Sequence, residues 1–243
     1  MVDAFDPSQA VPRGRHRQGP AAAAYRVPGV LGTTTTLDPV PPTTASLPIV
    51  TVPTIHTAPC RSIEELDEVF GTRGAAAHCW CQFDRLTNEE RRDLPDDELR
   101  DRLATQVRAS GPSPGVVASI GGERVGWCSV GPRVLFPRLA RSPATSSPEL
   151  GPPDDPAVWS ATCFVVRTGF RRRGVATALL AAAVEHARAG GAGWLEGYPV
   201  DTAERPTATA AELYRGSLSL FLAAGFEVVA RTLLGRVVVR REL

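Results

Sequence analysis

Six consecutive residues, Arg171-Arg172-Arg173-Gly174-Val175-Ala176, set three cations beside a glycine, a combination suited to gripping an anion. A guanidinium keeps its charge at any working pH and pairs with phosphate or carboxylate oxygens through a planar fork of donors. The flanking residues matter as much. Trp159 to Val166 is a short apolar, branched-rich run that reads as a buried strand, and Thr177 to Arg188 is nearly all Ala, Leu and Val. That second run reads as a helix packed around most of its circumference. The first amides of a helix have no partners and point outward, and the helix dipole adds positive potential there. Gly174 leaves the backbone open to close approach. Three arginines at a helix start oppose the dipole unless an anion neutralises them; otherwise they merely cap an exposed turn.

The remaining composition narrows the anion. All 27 basic residues are arginine, so a phosphate loop with its reaching lysine is excluded, as is any lysine nucleophile. A dinucleotide fingerprint needs three spaced glycines, and this turn has one. The net charge of +1 carries no nucleic-acid or membrane signature. No apolar run is long enough to span a bilayer. Arg13, Arg15 and Arg17 precede Ala21 to Ala24, but that apolar part is too short for an export signal and is interrupted by Tyr25-Arg26. Five cysteines without a paired framework point to reduced thiols in a cytoplasm. His78-Cys79-Trp80-Cys81 lacks both the spacing and the second ligand pair of a zinc site, so no metal is expected and buried or half-buried thiols are. Cys163 has no visible partner to activate it, and His186 reads as a packing residue within the long helix.

Around the arginine turn the chain falls into elements. Residues 1–48 carry Pro, Thr, Ala and Arg without periodicity and read as a disordered leader. A first strand is expected at Ile49 to Thr54, and a helix from Ser62 with Glu64-Glu65 to Phe70. A charged helical stretch runs from Thr87, with a break at Pro95, to about Arg108; Leu94, Leu99, Leu103 and Val107 give it one apolar face. Gly115 to Ile120 and Arg124 to Val130, joined by Gly121-Gly122, form a hairpin. Residues 131–157 hold seven prolines with Arg133, Arg138 and Arg141, and read as a substrate-side flap or an inert insertion. After the central strand, turn and helix come a strand at Gly193 to Val200 and a helix at Glu212 to Ala224. Two last strands follow, Phe226 to Arg231 and Arg236 to Arg240.

The turn resembles the pyrophosphate loop of the GNAT superfamily of N-acyltransferases, Gln/Arg-x-x-Gly-x-Gly/Ala, with Arg171, Gly174 and Ala176 at its three defined positions. The order of elements from about residue 50 to 243 is similar to that family's, and Phe221 to Phe226 is similar to its aromatic-x-x-x-Gly-Phe ending. Gly126-Trp127, Val130-Gly-Pro-Arg133 and Glu196-Gly-Tyr-Pro-Val200 look like one bacterial subgroup. The resemblance implies an α/β (α+β) GNAT fold over residues 49–243, a mixed central sheet of six to seven strands flanked by about four helices. It does not name a substrate.

It further implies acyl transfer from acetyl-CoA to a primary amine of a small molecule or peptide. The pantetheine would lie where the central strand parts from its neighbour, along Val165 and Val166. Arg171, Arg172, Arg173, Gly174, Val175, Ala176 and Thr177 would hold the pyrophosphate. The backbone N–H of Val166 would serve as oxyanion donor. Glu196 is the candidate base, with pairing to an arginine as the alternative. The family's usual acid, a tyrosine, aligns with Phe221, which has no proton to give; Tyr198 and Tyr214 are the remaining candidates. Phe221 also keeps open a silent acyl-CoA-binding or protein-interaction module. Acceptor pockets in this family are built from the first helices, the flap and the last two strands. A homodimer is compatible with the resemblance; nucleic-acid and membrane partners are not expected.

Overall fold

A computed structural model describes residues 54–243 except 72, 73, 144, 210, 233 and 234, within one compact unit, Val50–Leu243. The leader expected at 1–48 lies outside the described residues, as does the first strand expected at 49–54 apart from Thr54. The observed first strand is β1, Ile55–Pro59. Helices α1 (Glu64–Phe70), α2 (Asn88–Arg91) and α3 (Asp96–Arg108) follow, then β2 (Gly115–Ile120) and β3 (Glu123–Pro132). A short helix α4 (Pro137–Arg141) precedes β4 (Val158–Val166), α5 (Val175–Ala189) and β5 (Trp194–Gly197). The chain ends in α6 (Leu218–Ala223), β6 (Glu227–Arg231) and β7 (Val237–Glu242).

Local chemistry accounts for the helix starts. Glu65 reaches back to the Arg61 and Ser62 amides at 2.8 and 3.4 Å, whereas Ser62 itself caps nothing. Thr87 and Glu90 exchange side-chain and backbone bonds in a capping box that opens α2. Extended Pro95 ends that segment, and the acidic Asp96, Asp97 and Glu98 suit the positive end of α3.

The seven strands form one mixed sheet in the order β1-β2-β3-β4-β5-β7-β6. Only β4 and β5 run parallel, because α5 crosses between them; every other pair is antiparallel. Helix α5 lays Val175, Leu179, Leu180, Ala183, Val184 and Ala187 on one face of the sheet. On the other face α1 and α3 bury Leu66, Leu99 and Leu103 against Val117 and Trp127. Each such leucine stabilises the fold by roughly 1.5–3 kcal/mol. A third cluster gathers Phe136, Leu139 and Leu150 from residues 131–157 against Tyr198 and Val238, so that proline-rich segment is packed onto the sheet. Among the described residues no helix is long and apolar enough to cross a membrane.

The helix expected over Glu212 to Ala224 is broken in two. A 3-10 turn at Glu212–Arg215 ends at Gly216, whose φ of 84° is left-handed, and Ser217 then caps α6. Behind it Phe221 is fully buried and packs edge-on to Phe164 and Phe226. Its ring lies so close to Gly197 that a Cβ there would sit 2.2 Å from it. Gly197→Ala is therefore expected to cost about 1–3 kcal/mol by overpacking, read as a lower denaturant midpoint.

Candidate functional site

Strands β4 and β5 pair only from Val158↔Trp194 to Ala161↔Gly197. Beyond Gly197 the chain leaves as Tyr198-Pro199-Val200, and Val200 bridges Ser217 and Arg236 instead. The rest of β4, through Val166, keeps β3 on one side and no strand on the other. The direction of its backbone groups follows from one bond. Arg167 N–H donates to Val125 O on the β3 side at 3.0 Å. Alternation along an antiparallel strand then turns the N–H and C=O of Val166 toward the open edge. Consistently, Val166 O accepts from Arg171 Nε at 3.2 Å. Val165 and Val166 are half-buried, as groups lining a gap should be.

The arginine turn stands at the end of this edge. Gly174 is the N-cap of α5 in a left-handed conformation, φ 83°, and Arg172 also adopts a positive φ of 62°. No side chain caps the helix and its first turn holds no acid. The first helical amide to find an acceptor is that of Ala178, bonded to Gly174 O at 3.0 Å, so among the described residues the amides of Val175, Ala176 and Thr177 stay open. Arg171, Arg172 and Arg173 are exposed and have no carboxylate within ion-pair reach among the described residues. A built anion cradle would have these features: open donors, uncompensated cations and a glycine at the cap.

Of the three catalytic candidates, Glu196 and Tyr198 come together and Tyr214 lies apart from them. Glu196 is fully buried, and both of its oxygens are taken. Arg133 Nη1 reaches them at 3.0 and 3.3 Å, Arg240 Nε reaches Oε1 at 3.1 Å, and the Tyr198 hydroxyl donates to Oε2 at 2.7 Å. Arg133 also binds Leu150 O, at 3.1 Å, and Pro152 O, while Arg240 Nη2 binds Leu150 O at 2.9 Å. This corrects the expectation of an open carboxylate at the parting strands: Glu196 is the centre of a closed ion-pair network, the pairing alternative, and has no lone pair free for an amine proton. Tyr198 is equally buried; with its proton given to Glu196, its oxygen accepts from Ser160 Oγ at 3.0 Å. Burial, reinforced by the Glu196 charge, pushes the Tyr198 phenol well above its ordinary range. Its hydroxyl is committed to the network and cannot serve a leaving group.

Tyr214 is placed differently. It lies on the 3-10 turn beside β4, edge-on to Phe83 with ring centroids 6.2 Å apart, and lines a cavity of about 600 Å³. Its hydroxyl makes no hydrogen bond among the described residues, and burial raises its pKa, so it holds its proton. The cavity walls come from Phe83 and Asn88, from Arg138 and Arg141, and from Arg215 and Arg236. Arg215 is neutralised by the buried Asp84, and Arg138 is held by Phe83 O at 2.5 Å and by Asn88 Oδ1. In the sequence Arg138 and Arg141 stand out within the proline-rich segment, whereas Phe83 carries no signal and Arg236 reads only as the start of the last strand. The one available signal is an arginine set directly before the three valines that begin the last strand, Arg236-Val-Val-Val.

The cysteines fall where the bland expectation put them: Cys60, Cys81 and Cys128 are buried, Cys79 and Cys163 half-buried. Cys81 Sγ accepts the Trp127 indole N–H at 3.2 Å, and burial pushes the Cys60 thiol up to about 12. His186 packs edge-on to Trp159 and bonds Ser113 O at 2.9 Å.

The acetyltransferase (GNAT) family model matches residues 80–215, more than half of the chain. The chain matches no curated protein. Solved structures with a similar course include an N-acetyltransferase from Staphylococcus aureus Mu50, 15% identical over 78% of this chain and 98% of that one, TM-score 0.48. Another is a GCN5-related N-acetyltransferase from Kribbella flavida, 20% identical over 78% and 98%, TM-score 0.43. A third is yncA from Salmonella typhimurium, solved with its cofactor acetyl-CoA, 13% identical over 78% and 94%, TM-score 0.46.

Proposed function

Because the chain belongs to the acetyltransferase (GNAT) family, we propose that it moves an acetyl group from acetyl-CoA to a primary amine of a small molecule or peptide. The observation that carries this reading is the unpaired edge of β4 ending beside the uncapped, arginine-rich start of α5. An extended chain ending in phosphates needs that pair of features: strand-like donors and acceptors, then a concentration of positive potential.

In this reading the open amides of Val175, Ala176 and Thr177, with Arg171, Arg172 and Arg173, hold the pyrophosphate, and Gly174 keeps side-chain bulk out of its way. Val165 and Val166 flank the pantetheine arm. When bound, acetyl-CoA supplies the acetyl group as a thioester. The Val166 N–H is the donor available to its carbonyl oxygen, since it faces the gap and has no strand partner. The acceptor enters through the cavity beside Tyr214. That phenol retains its proton at neutral pH and would give it to a departing thiolate, regaining one through water from the amine that sheds it. Glu196 acts through position alone, holding residues 133–152 against the sheet.

Calorimetry with acetyl-CoA tests the reading directly: saturable binding at one site is expected, and folded protein with no detectable heat would discard it. Mass spectrometry of a metabolite extract incubated with enzyme and acetyl-CoA should then show acetylated amines. Tight binding with no turnover across a broad amine panel would instead favour the silent module that Phe221 keeps open.

A further inference from the structure

The cavity beside Tyr214 carries an unbalanced charge. Four arginines line it, and Glu89, exposed on α2, is the one acid among its walls. Arg215 is spent on Asp84, which leaves three. Neither Arg138, Arg141 nor Arg236 has a carboxylate within ion-pair reach among the described residues. Arg138 is oriented by neutral oxygens only, those of Phe83 and Asn88, and stacks over the Phe83 ring at 4.1 Å. Arg236 is the most telling. Its Nη1 is shut off from solvent with no hydrogen-bond partner, and its guanidinium lies 6.0 Å from the centre of the Tyr214 ring.

A guanidinium nitrogen withdrawn from water and left without an acceptor costs free energy that a folded chain normally avoids. Within its own chain, among the described residues, the group meets only longer-range attraction, from Glu212 and Asp84, and no acceptor for this nitrogen. Like charges on Arg215 and Arg205 add to the cost. Such a cluster is stable in use only when something from outside brings oxygens and negative charge to it.

Building on the acetyl-transfer reading, we propose that the acceptor carries an acidic group as well as its amine, and that Arg236, Arg141 and Arg138 hold that group. The substrate class is then an amino acid or a short peptide with a free carboxylate, or an aminophosphonate, which offers the same oxygens to the same donors. The arrangement is chemically sensible: the acid is fixed at the arginines while the amine reaches toward the open end of β4, past Tyr214.

The test uses the whole chain and matched pairs of amines: alanine, phenylalanine, β-alanine and alanyl-alanine, each as free acid and as carboxamide, with 2-aminoethylphosphonate alongside. A carboxamide has the less basic α-amine, so more of it is neutral at pH 7.5, and any preference for the acid is conservative. Two readouts are taken, the calorimetric affinity of each compound without acetyl-CoA and the rate of thiol release with it. Free acids should exceed their carboxamides by about tenfold or more in kcat/KM, or in affinity where no turnover occurs. Arg236→Gln should erase most of that ratio while acetyl-CoA affinity holds. Arg141→Gln, at an exposed site where folding is not at stake, should narrow it at least about threefold.

Carboxamides handled as well as acids, or a ratio untouched in both variants, would overturn the proposal. The two readings fail separately. Acetyl-CoA binding with indifferent acetylation of both members removes the acidic acceptor and leaves acetyl transfer standing. Arginine-dependent binding of acids with no acetyl-CoA binding does the reverse. Preference for the phosphonate over β-alanine identifies a dianionic acceptor, and the opposite order a carboxylate.

Discussion

Glu196→Gln is expected to lower the stability of the domain by about 3–5 kcal/mol, the cost of leaving buried charge unpaired. The amide oxygen can still accept on its two lone pairs, but its NH2 would face a donor that now points at an oxygen: Arg133, Arg240 or the Tyr198 hydroxyl. Arg133, 6% exposed on its side chain, would have no carboxylate left, and its remaining partners are the Leu150 and Pro152 carbonyls. Urea unfolding followed by circular dichroism measures the loss, and residues 133–152 should become the first segment to exchange amide hydrogens. Turnover measured well below the transition should change little beyond what loosening of the cavity wall causes. Intact stability with abolished turnover would make Glu196 the proton acceptor and refute the network role assigned to it.

Gly174→Glu should weaken acetyl-CoA binding by about 100-fold or more while leaving the fold in place. Two costs add. The left-handed φ of 83° penalises any residue with a Cβ by about 1–2 kcal/mol. The new carboxylate then stands at the helix start where phosphates are to be held, and like charges a few ångström apart at a protein surface repel by about 1–4 kcal/mol. A Cβ at this position meets nothing closer than Ile55 Cδ1 at 3.7 Å, so the fold has room for the side chain. Gly174→Ala separates the terms, since it carries the backbone cost without the charge. Equal affinity in wild type and Gly174→Glu would mean that the diphosphate is bound elsewhere.

What could be read from the sequence was what neighbouring residues decide together. The Gly121-Gly122 hairpin, the long alanine-rich helix and the arginine turn are each specified within a dozen residues, and each is found where expected. The break in the Glu212 to Ala224 helix was also locally encoded: Gly216 followed by Ser217 is a stop followed by a cap, and the continuous apolar pattern across it masked that signal. The role of Glu196 could not be read in this way. Its partners Arg133 and Arg240 lie 63 and 44 residues away along the chain, and nothing in either neighbourhood announces the meeting. The cavity is hidden for the same reason, since Phe83, Arg138, Tyr214 and Arg236 share no sequence window. A carboxylate at the end of a strand looks the same in one dimension whether it faces a substrate or two guanidinium groups.

The place of that network has a mechanical implication. Glu196 is opposite Ser160, one register step before Ala161 and Gly197, the last pair before the two strands part company. The same carboxylate, through Arg133, suspends the stretch of chain that supplies Arg138 and Arg141. It is thus a keystone common to two arches, one spanning the edge proposed for the donor and the other the cavity proposed for the acceptor. Prising either arch wider would load the stone that supports its neighbour, so on the proposed reading occupancy of one site is expected to alter affinity at the other.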